Sequence, residues 1–237
     1  TAQQAKSDQL SVHKWLRTQK SLPHLWCPGC GLGTILNTLT RVLEKLAYER
    51  NELVLVSGIG CTGRMPVYMD CNTLHTTHGR ALTFATGVKL AKPKLKVLVV
   101  TGDGDALAIG GNHFIHAARR NVDITTIVVY NFIYGMTGGQ YSPTTPQGKT
   151  ATTARFGNVE PPFDVCHVAM AAGATMVSRA TVFHIQVMEK RMTEVLQHTG
   201  FSVLEIIAIC HTNYWRLNNI RWSVPMPRYM TERSVLH

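Results

Sequence analysis

Residues 96–131 read KVLVVTGDGDALAIGGNHFIHAARRNVDITTIVVYN, and this stretch decides the fold. Its two ends, residues 96–102 and 124–131, are apolar runs rich in Val and Ile, which predict buried strands. Residues 109–119 lie between them and have the apolar spacing of a helix. A strand, a helix and a second strand in succession are typical of a parallel α/β sheet.

The same alternation continues on both sides of this stretch. Three further apolar runs predict strands at residues 53–60, 174–178 and 203–209, and three amphipathic stretches predict helices at residues 79–91, 164–172 and 184–198. The sequence therefore predicts an α/β fold, with a doubly wound and mostly parallel sheet and helices on both faces. Ligands of such sheets bind beyond the carboxyl ends of the strands, so we expect the site there.

The composition fits one globular domain with short appendages. Of the 237 residues, 45% are hydrophobic and 16% are charged, which excludes a disordered chain. No apolar run reaches the roughly 18 residues of a membrane span, and the first 21 residues lack the apolar centre of a signal peptide, so we expect a cytoplasmic protein. We predict an N-terminal arm at residues 1–24, a domain at 25–210, and a C-terminal tail at 211–237 that packs near the active site or a partner subunit.

The chain is basic, with 24 Lys and Arg against 14 Asp and Glu and a net charge of +10. A basic surface favours an acidic partner such as nucleic acid, a membrane surface or an acidic protein. The basic residues are scattered and not interleaved with aromatic ones, which argues against nucleic acid. An acidic protein or an adjoining subunit is the better explanation.

A Gly-Asp-Gly motif at residues 102–104 ends the first of the two central strands, and Asn131 follows after 26 further residues. The glycines let the backbone turn tightly and approach a bulky anion, and the next helix can direct free N–H groups at phosphate oxygens. Asp103 and Asn131 offer oxygen ligands of the kind that Mg²⁺ prefers. The pattern predicts a site for a diphosphate and its magnesium ion.

A Cys-Pro-Gly-Cys motif at residues 27–30 offers two closely spaced thiolates. Zinc, a redox dithiol and an iron–sulfur cluster are all compatible with this spacing, although no strand precedes the motif as a thioredoxin-like site would need. Cys61 and Cys210 each follow a predicted strand, so both are expected at the ligand-binding edge. Cys71 and Cys166 are expected to hold no metal, and Cys166 reads as a small core residue.

These motifs resemble known ones. The Gly-Asp-Gly motif with Asn131 resembles the thiamine diphosphate signature, although Tyr130 stands where that signature usually has a first Asn. Five blocks resemble the β subunit of 2-oxoacid:ferredoxin oxidoreductases and follow its order, namely WCPGCG (26–31), SGIGC (57–61), HTTHGRALTFATG (75–87), GDGDALAIGGNHFIHAARRN (102–121) and IYGMTGGQYSPTTPQG (133–148). One departure is His211, after the last cysteine, where the family usually has Pro.

The resemblance implies two bound groups. Thiamine diphosphate would be held through Mg²⁺ by Asp103, Asn131 and the backbone carbonyl of Ile133. One 4Fe-4S cluster would be held by Cys27, Cys30, Cys61 and Cys210. The implied cofactor-binding residues are Gly58, Ile59, Gly60, His78, Gly102, Asp103, Gly104, Asp105, Asn131, Ile133, Tyr134, Gly135, Met136 and Thr137.

Two further residues are candidates for contact with the substrate. His78 lies just before a predicted helix, where anions bind readily, and the resemblance implies that it is near the cofactor. Arg64 falls where relatives carry a basic residue that faces the substrate, and an arginine can bind a carboxylate through two hydrogen bonds. The alternatives are a structural histidine and a solvated surface arginine.

The resemblance also implies an activity. A 2-oxoacid would be oxidatively decarboxylated with coenzyme A to an acyl-CoA and CO2, its electrons would pass through the cluster to ferredoxin, and the reaction could run in reverse. An α subunit would supply an essential glutamate, in an (αβ)2 assembly. The block at residues 133–148 is most similar to 2-oxoglutarate enzymes, while pyruvate and branched-chain 2-oxoacids stay open.

Two rival functions are a non-catalytic iron–sulfur electron-transfer module and a cluster-free thiamine decarboxylase with a structural zinc ion.

Overall fold

The computed structural model describes residues 14–17 and 23–220. Six strands form one sheet in the order β2-β1-β3-β4-β8-β7, and every neighbouring pair is parallel. They are β1 (Leu53–Ser57), β2 (Asn72–His75), β3 (Lys96–Gly102), β4 (Thr125–Tyr130), β7 (Met176–Thr181) and β8 (Ser202–Ile207). A short antiparallel pair, β5 (Ile133–Tyr134) and β6 (Gln140–Tyr141), follows β4.

The central strands are buried on both faces, as continuous apolar runs predict. Alternate residues of one strand enter different cores, so that Leu98 packs in one hydrophobic cluster and Val99 in the other. Register is fixed by apolar pairs across the sheet, for example Leu55 opposite Leu98 and Ile127 opposite Leu204. The two clusters lie on opposite sides of a single sheet.

Helices cover both sides of the sheet. Within the described residues they are α1 (Leu32–Lys45), α2 (Met65–Tyr68), α3 (Ala81–Ala91), α4 (Gly111–Arg119), α5 (Val165–Ala171) and α6 (Ile185–Gln197), with 3-10 turns at Arg50–Glu52 and Thr62–Arg64 and π-helical turns at Asp105–Ile109 and His211–Trp215. Helices α1 and α6 supply one core, and α3, α4 and α5 supply the other. No helix in the described part of the chain is both long and apolar enough to cross a bilayer.

The predicted fold is confirmed as a doubly wound parallel α/β sheet. All five predicted strands are present, and the bounds of β3 are those predicted. The largest differences are at β1, which ends at Ser57 instead of residue 60, and at β7, which runs to Thr181 instead of residue 178. Three strands and two helices were not predicted, namely β2, β5, β6, α1 and α2. Strand β2 has four residues at the sheet edge, none of them fully buried, whereas α1 carries apolar residues at a spacing that indicates a helix.

Parts of the predicted arm and tail pack on this domain. Trp15 is fully buried among residues of the core on the α1 side, and Leu16 forms a bridge with Met69. Tyr214 and Trp215 are buried in a third, smaller cluster with Ile133. The boundaries at residues 24 and 210 stay predictions, and most of the arm and the tail beyond residue 220 lie outside the described residues.

The packing of the core predicts how one substitution changes the free energy of unfolding. Phe114 in α4 is fully buried, and its ring meets that of Phe201 edge to face at 5.9 Å between centroids. Phe114→Ala should lower the free energy of unfolding by about 3–5 kcal/mol, because it removes apolar contacts and leaves a cavity. Urea denaturation would measure this. Ile115→Ala is the control, because Ile115 is 44% exposed, and a loss of equal size there would contradict the packing argument.

Candidate active site

A cavity of about 270 Å³ lies at the carboxyl ends of β1, β3 and β4. Parallel strands bring these ends to one edge of the sheet, where ligands of such folds bind. The lining residues are Ile59, Gly60, Cys61, Thr62, His78, Gly102, Asp103, Gly104, Asp105, Asn131, Ile133, Tyr134, Gly135, Met136 and Thr137. All of the predicted cofactor-binding residues except Gly58 are therefore brought together, and Cys61 and Thr62 join them.

The carboxylate of Asp103 is buried and held by four hydrogen bonds. Its Oδ2 accepts the backbone N–H groups of Asn131 (3.1 Å) and Phe132 (2.9 Å) and the hydroxyl of Thr144 (2.6 Å), and its Oδ1 accepts the N–H of Gly104 (2.8 Å). Burial raises the pKa of this carboxyl group, against the effect of the hydrogen bonds. A bound cation would favour its ionised form.

The other two predicted magnesium ligands lie beside Asp103. Asn131 directly follows β4, and its side-chain Oδ1 accepts the N–H of Ile133 at 3.4 Å. Asp103, Asn131 and Ile133 thus line one cavity, and their oxygen atoms form a donor set suited to Mg²⁺. Thr144 was not predicted, because it comes from the long loop 136–162, in which no periodicity indicates which side chains turn inward.

Asp105 connects three segments of the site. Its Oδ1 accepts the N–H groups of Gly79 (2.7 Å) and Ile59 (3.3 Å), and its Oδ2 accepts the hydroxyl of Thr101 (2.6 Å). A Cβ atom on Gly58 would lie 2.1 Å from this carboxylate. Gly58 therefore packs against Asp105, and it is not among the residues that line the cavity, contrary to its predicted place.

His78 and Tyr134 form another part of the cavity wall. The Nδ1 of His78 lies 2.7 Å from Oδ1 of Asp105, and its ring meets that of Tyr134 at 6.1 Å between centroids. Burial raises the pKa of Tyr134 to about 12, so its hydroxyl stays protonated at neutral pH. That hydroxyl donates to the carbonyl of Gly104 at 3.3 Å.

Arg64 lies outside the cavity wall. It ends the turn Thr62–Arg64, its side chain is exposed, and it is not among the lining residues. Its neighbours Cys61 and Thr62 do line the cavity, so Arg64 stands close to the rim. Its predicted contact with a substrate carboxylate stays a prediction.

Four of the six cysteines meet next to this cavity. A Cβ atom on Gly135 would lie 3.1 Å from the Sγ of Cys210 and 4.0 Å from that of Cys61, which places the two sulfur atoms on the same side of Gly135. Burial, together with the nearby Cys210, Cys30 and Cys27 thiols, raises the pKa of Cys61 to about 11. These four are the predicted set.

Backbone contacts bring the motif at residues 27–30 to Cys61 and Cys210. The indole N–H of Trp26 donates to the carbonyl of Cys61 at 2.7 Å, and the N–H of Ile209 donates to that of Cys30 at 3.4 Å. The hydroxyl of Thr212 contacts the Sγ of Cys27 at 3.4 Å. Segments from both ends of the described chain therefore build one group of thiols.

The remaining two cysteines have other neighbours. Burial raises the pKa of Cys71 to about 11, and the charged groups that influence it are Arg17, Asp70 and Arg50. Cys166 donates to Oε2 of Glu205 at 3.0 Å. Neither belongs to the four-cysteine group, and their predicted lack of a metal role stays a prediction.

Cys166 does belong to a group of potential metal ligands with Asp164 and Glu205, whose ligand atoms lie within 4.8 Å of one another. Arg179, however, pairs with both carboxylates, at 2.9 Å from Asp164 and in a short contact with Glu205. Burial raises the pKa of the Cys166 thiol well above its usual range, which disfavours the thiolate that a metal needs. We therefore interpret this group as an ion-pair cluster.

Comparisons with known proteins agree with this geometry. Residues 58–206 match the family described as "Thiamine pyrophosphate enzyme, C-terminal TPP binding domain". The 2-oxoglutarate synthase subunit KorB of Archaeoglobus fulgidus is 54% identical over 199 residues, which cover 84% of this chain and 74% of the relative. The same subunit of Methanocaldococcus jannaschii is 48% identical over 222 residues, which cover 94% and 82% of the two chains.

A solved structure is also similar. The 2-oxoglutarate:ferredoxin oxidoreductase from Magnetococcus marinus, determined with 2-oxoglutarate, coenzyme A and succinyl-CoA bound, superposes with a TM-score of 0.82. It is 38% identical in sequence, and the match covers 85% of this chain and 68% of that one. The resemblance found in the sequence blocks is thereby confirmed. The chain belongs to the β-subunit family of the 2-oxoacid:ferredoxin oxidoreductases, among the thiamine pyrophosphate enzymes.

Proposed function

We propose that the chain is the β subunit of a 2-oxoglutarate:ferredoxin oxidoreductase. The reaction takes 2-oxoglutarate and coenzyme A to succinyl-CoA, CO2 and a proton, and it releases two electrons to ferredoxin. It can also run in reverse as a carboxylation. The observation that carries the proposal is that the cavity with Asp103 and Asn131 adjoins a group of four cysteines through Cys61 and Gly135. The names of the relatives and the ligands of the solved structure support 2-oxoglutarate as the substrate.

The residues of the cavity fit thiamine diphosphate and its magnesium ion. Asp103, Asn131 and the carbonyl of Ile133 would hold Mg²⁺ beside the diphosphate. The missing side chain of Gly104 makes room for the ring of Tyr134, which a Cβ atom there would meet at 2.2 Å. Bound thiamine diphosphate supplies the nucleophilic carbon and the electron sink for decarboxylation. His78 lines the cavity with its Nδ1 2.7 Å from Oδ1 of Asp105, although this nitrogen has no hydrogen-bond partner among the described residues, so the ring is placed to contact a bound cofactor.

The four cysteines fit a 4Fe-4S cluster better than one zinc ion. A tetrahedral ion with Zn–S bonds of about 2.3 Å requires sulfur atoms roughly 3.8 Å apart. Among the described residues, the one group with ligand atoms within 4.8 Å is that of Asp164, Cys166 and Glu205, so no three of these four sulfur atoms are that close. The wider spacing supports a cluster, which is larger than a single ion. It disfavours the rival with a structural zinc ion, and the thiamine family match disfavours the module without thiamine.

The chain needs a partner to act. As a β subunit it pairs with an α subunit, and we propose that this partner supplies the glutamate that contacts the aminopyrimidine of the cofactor, in an (αβ)2 assembly. We also propose a cytoplasmic location. All six cysteines are free thiols, which fits a reducing compartment.

The test uses the αβ complex, purified without oxygen. Thiamine, magnesium, iron and sulfide are measured first, and then the coenzyme A-dependent reduction of a small dye by 2-oxoglutarate, pyruvate and a branched-chain 2-oxoacid. We expect all four components and the highest kcat/KM with 2-oxoglutarate. A higher kcat/KM with pyruvate would contradict the substrate, and thiamine without iron would contradict the electron path.

If ferredoxin is the electron acceptor, the rate of its reduction should depend on the salt concentration. If the net charge of +10 attracts an acidic ferredoxin, the reduction rate of ferredoxin should fall steeply with ionic strength, because exposed charges are screened beyond roughly 8–10 Å near physiological salt. Stopped-flow measurements over a salt series would show this. Reduction of a neutral dye is the control and should barely change. A flat ferredoxin rate with an intact complex would mean that the basic surface meets the α subunit instead.

A further inference from the structure

Gly135 lines the cavity and also packs against two of the four cysteines. A Cβ atom added to it would point at the Sγ atoms of Cys210 and Cys61, at 3.1 and 4.0 Å. Among the described residues, no other atom outside its chain neighbours lies within 4 Å of that point. The side of Gly135 that lacks a side chain therefore faces sulfur.

The backbone at this position does not itself require glycine. Gly135 is absent from the described residues with positive φ, so an L-amino acid could adopt its conformation. What disfavours a side chain is space, because 3.1 Å is shorter than an ordinary contact between heavy atoms, which is about 3.5–4.0 Å, so the Sγ of Cys210 would have to shift by a few tenths of an ångström. The glycine is explained by the closeness of Cys210.

A neighbouring segment fixes the peptide of Gly135. The side-chain Nδ2 of Asn213 donates to the carbonyl of Gly135 at 2.8 Å. Asn213 lies in the turn His211–Trp215, directly after Cys210. The next residue, Tyr214, stacks on Phe132 at 5.0 Å between ring centroids. The segment after β4 and the segment after β8 are thus joined at two points beside the cavity.

We infer that Gly135 is a positioning residue for electron transfer, and that Asn213 holds it in place. The missing side chain lets the Sγ of Cys210 lie against Gly135 in the cavity wall, so a cluster held by Cys61 and Cys210 would stand close to a cofactor bound in the cavity. Electron transfer slows steeply with distance, so this closeness would favour fast reduction of the cluster. The inference rests on the proposed function, since it needs both groups to be bound.

The test compares three variants of the αβ complex, purified without oxygen. Gly135→Ala adds one methyl group towards Cys210, and Asn213→Ala removes the hydrogen bond to Gly135. Gly87→Ala is the matched control, because Gly87 lies in α3 without positive φ and an added Cβ would meet nothing within 4 Å. The measurements are thiamine content, the rate of iron loss to a chelator, the electron paramagnetic resonance spectrum of the reduced cluster, and its single-turnover reduction by 2-oxoglutarate.

We expect Gly135→Ala to retain thiamine like the wild type, because the nearest atom to the new methyl group would be the Sγ of Cys210, which does not line the cavity. Iron should be lost roughly two- to tenfold faster, as expected when the Cys210 side chain leaves its preferred rotamer. The resonance spectrum should change, and reduction of the cluster should slow. Asn213→Ala should slow reduction while keeping both thiamine and iron. Gly87→Ala should match the wild type throughout.

The outcomes separate the two proposals. If the wild-type complex holds thiamine but no iron, the proposed function fails, and this inference fails with it. If the wild type holds both groups while Gly135→Ala keeps the wild-type spectrum, iron loss and reduction rate, only this inference fails. Loss of thiamine from Gly135→Ala in step with iron would also overturn it, because Gly135 would then shape the cavity itself.

Discussion

Asp103→Ala is expected to remove thiamine diphosphate and Mg²⁺ from the purified complex. Asp103 is the one charged group among the three proposed ligands of the ion. Its removal would also leave the N–H groups of Asn131 and Phe132 and the hydroxyl of Thr144 without their acceptor. Each buried donor left without a partner costs about 1–3 kcal/mol, so the end of β4 should lose its position as well.

Asp103→Asn separates these two effects. The amide keeps the shape of the side chain and one acceptor oxygen, so the fold should persist while the charge for Mg²⁺ is lost. Thiamine and magnesium would be measured after desalting, and circular dichroism would check the fold. Asp123→Ala is the control, since Asp123 pairs with Lys89 outside the cavity. Stoichiometric thiamine and magnesium in both Asp103 variants would overturn the assignment of the site.

Cys61→Ser is expected to lose nearly all of the iron. Cys61 lines the cavity and stands in the middle of the four-cysteine group, and serine cannot replace a thiolate as a ligand of soft metals. Cys27→Ser and Cys210→Ser should have the same effect. Cys71→Ser and Cys166→Ser should keep full iron, because those thiols have other neighbours.

Iron and sulfide analysis with visible absorbance would measure these five variants, and thiamine content would show whether the cavity stays intact. Cys71→Ser is the sharpest control, since it is also a partly buried thiol whose pKa burial raises to about 11. Iron loss in Cys71→Ser together with full iron in Cys210→Ser would show that the fourth ligand is wrongly assigned.

The strands and the site residues at their carboxyl ends were predictable, because both follow from the local pattern of apolar and polar residues in the sequence. The run at residues 96–102 is apolar enough to be buried on both faces, and the structure has β3 at those bounds. Once β3 and β4 are parallel neighbours, their carboxyl ends must meet, which brings Asp103 and Asn131 together. Cys61 and Cys210 reach the same edge for the same reason.

The directions in which side chains point were not predictable in the same way. Gly58 was expected to contact the cofactor, yet it packs against Asp105 outside the cavity lining, and a sequence does not show on which side of a turn a carboxylate lies. The hydroxyl of Thr144 donates a hydrogen bond to Asp103, which lies 41 residues earlier in the chain, and Thr144 belongs to a loop without periodicity. Arg64 is exposed outside the cavity wall, so the fold of this chain does not determine what its side chain contacts.

The members of the four-cysteine group are synthesised at different times, because they come from both ends of the described chain. Thr212 contacts Cys27 across 185 residues, so the first two thiols leave the ribosome long before the last. At about 5–20 residues per second, that interval is roughly 10–40 s. A nascent chain therefore carries an open pair of thiols until β8 has been made and has joined the sheet. If these thiols hold the proposed cluster, its insertion would be a late event, and a chain truncated before Cys210 would lack the complete set of ligands.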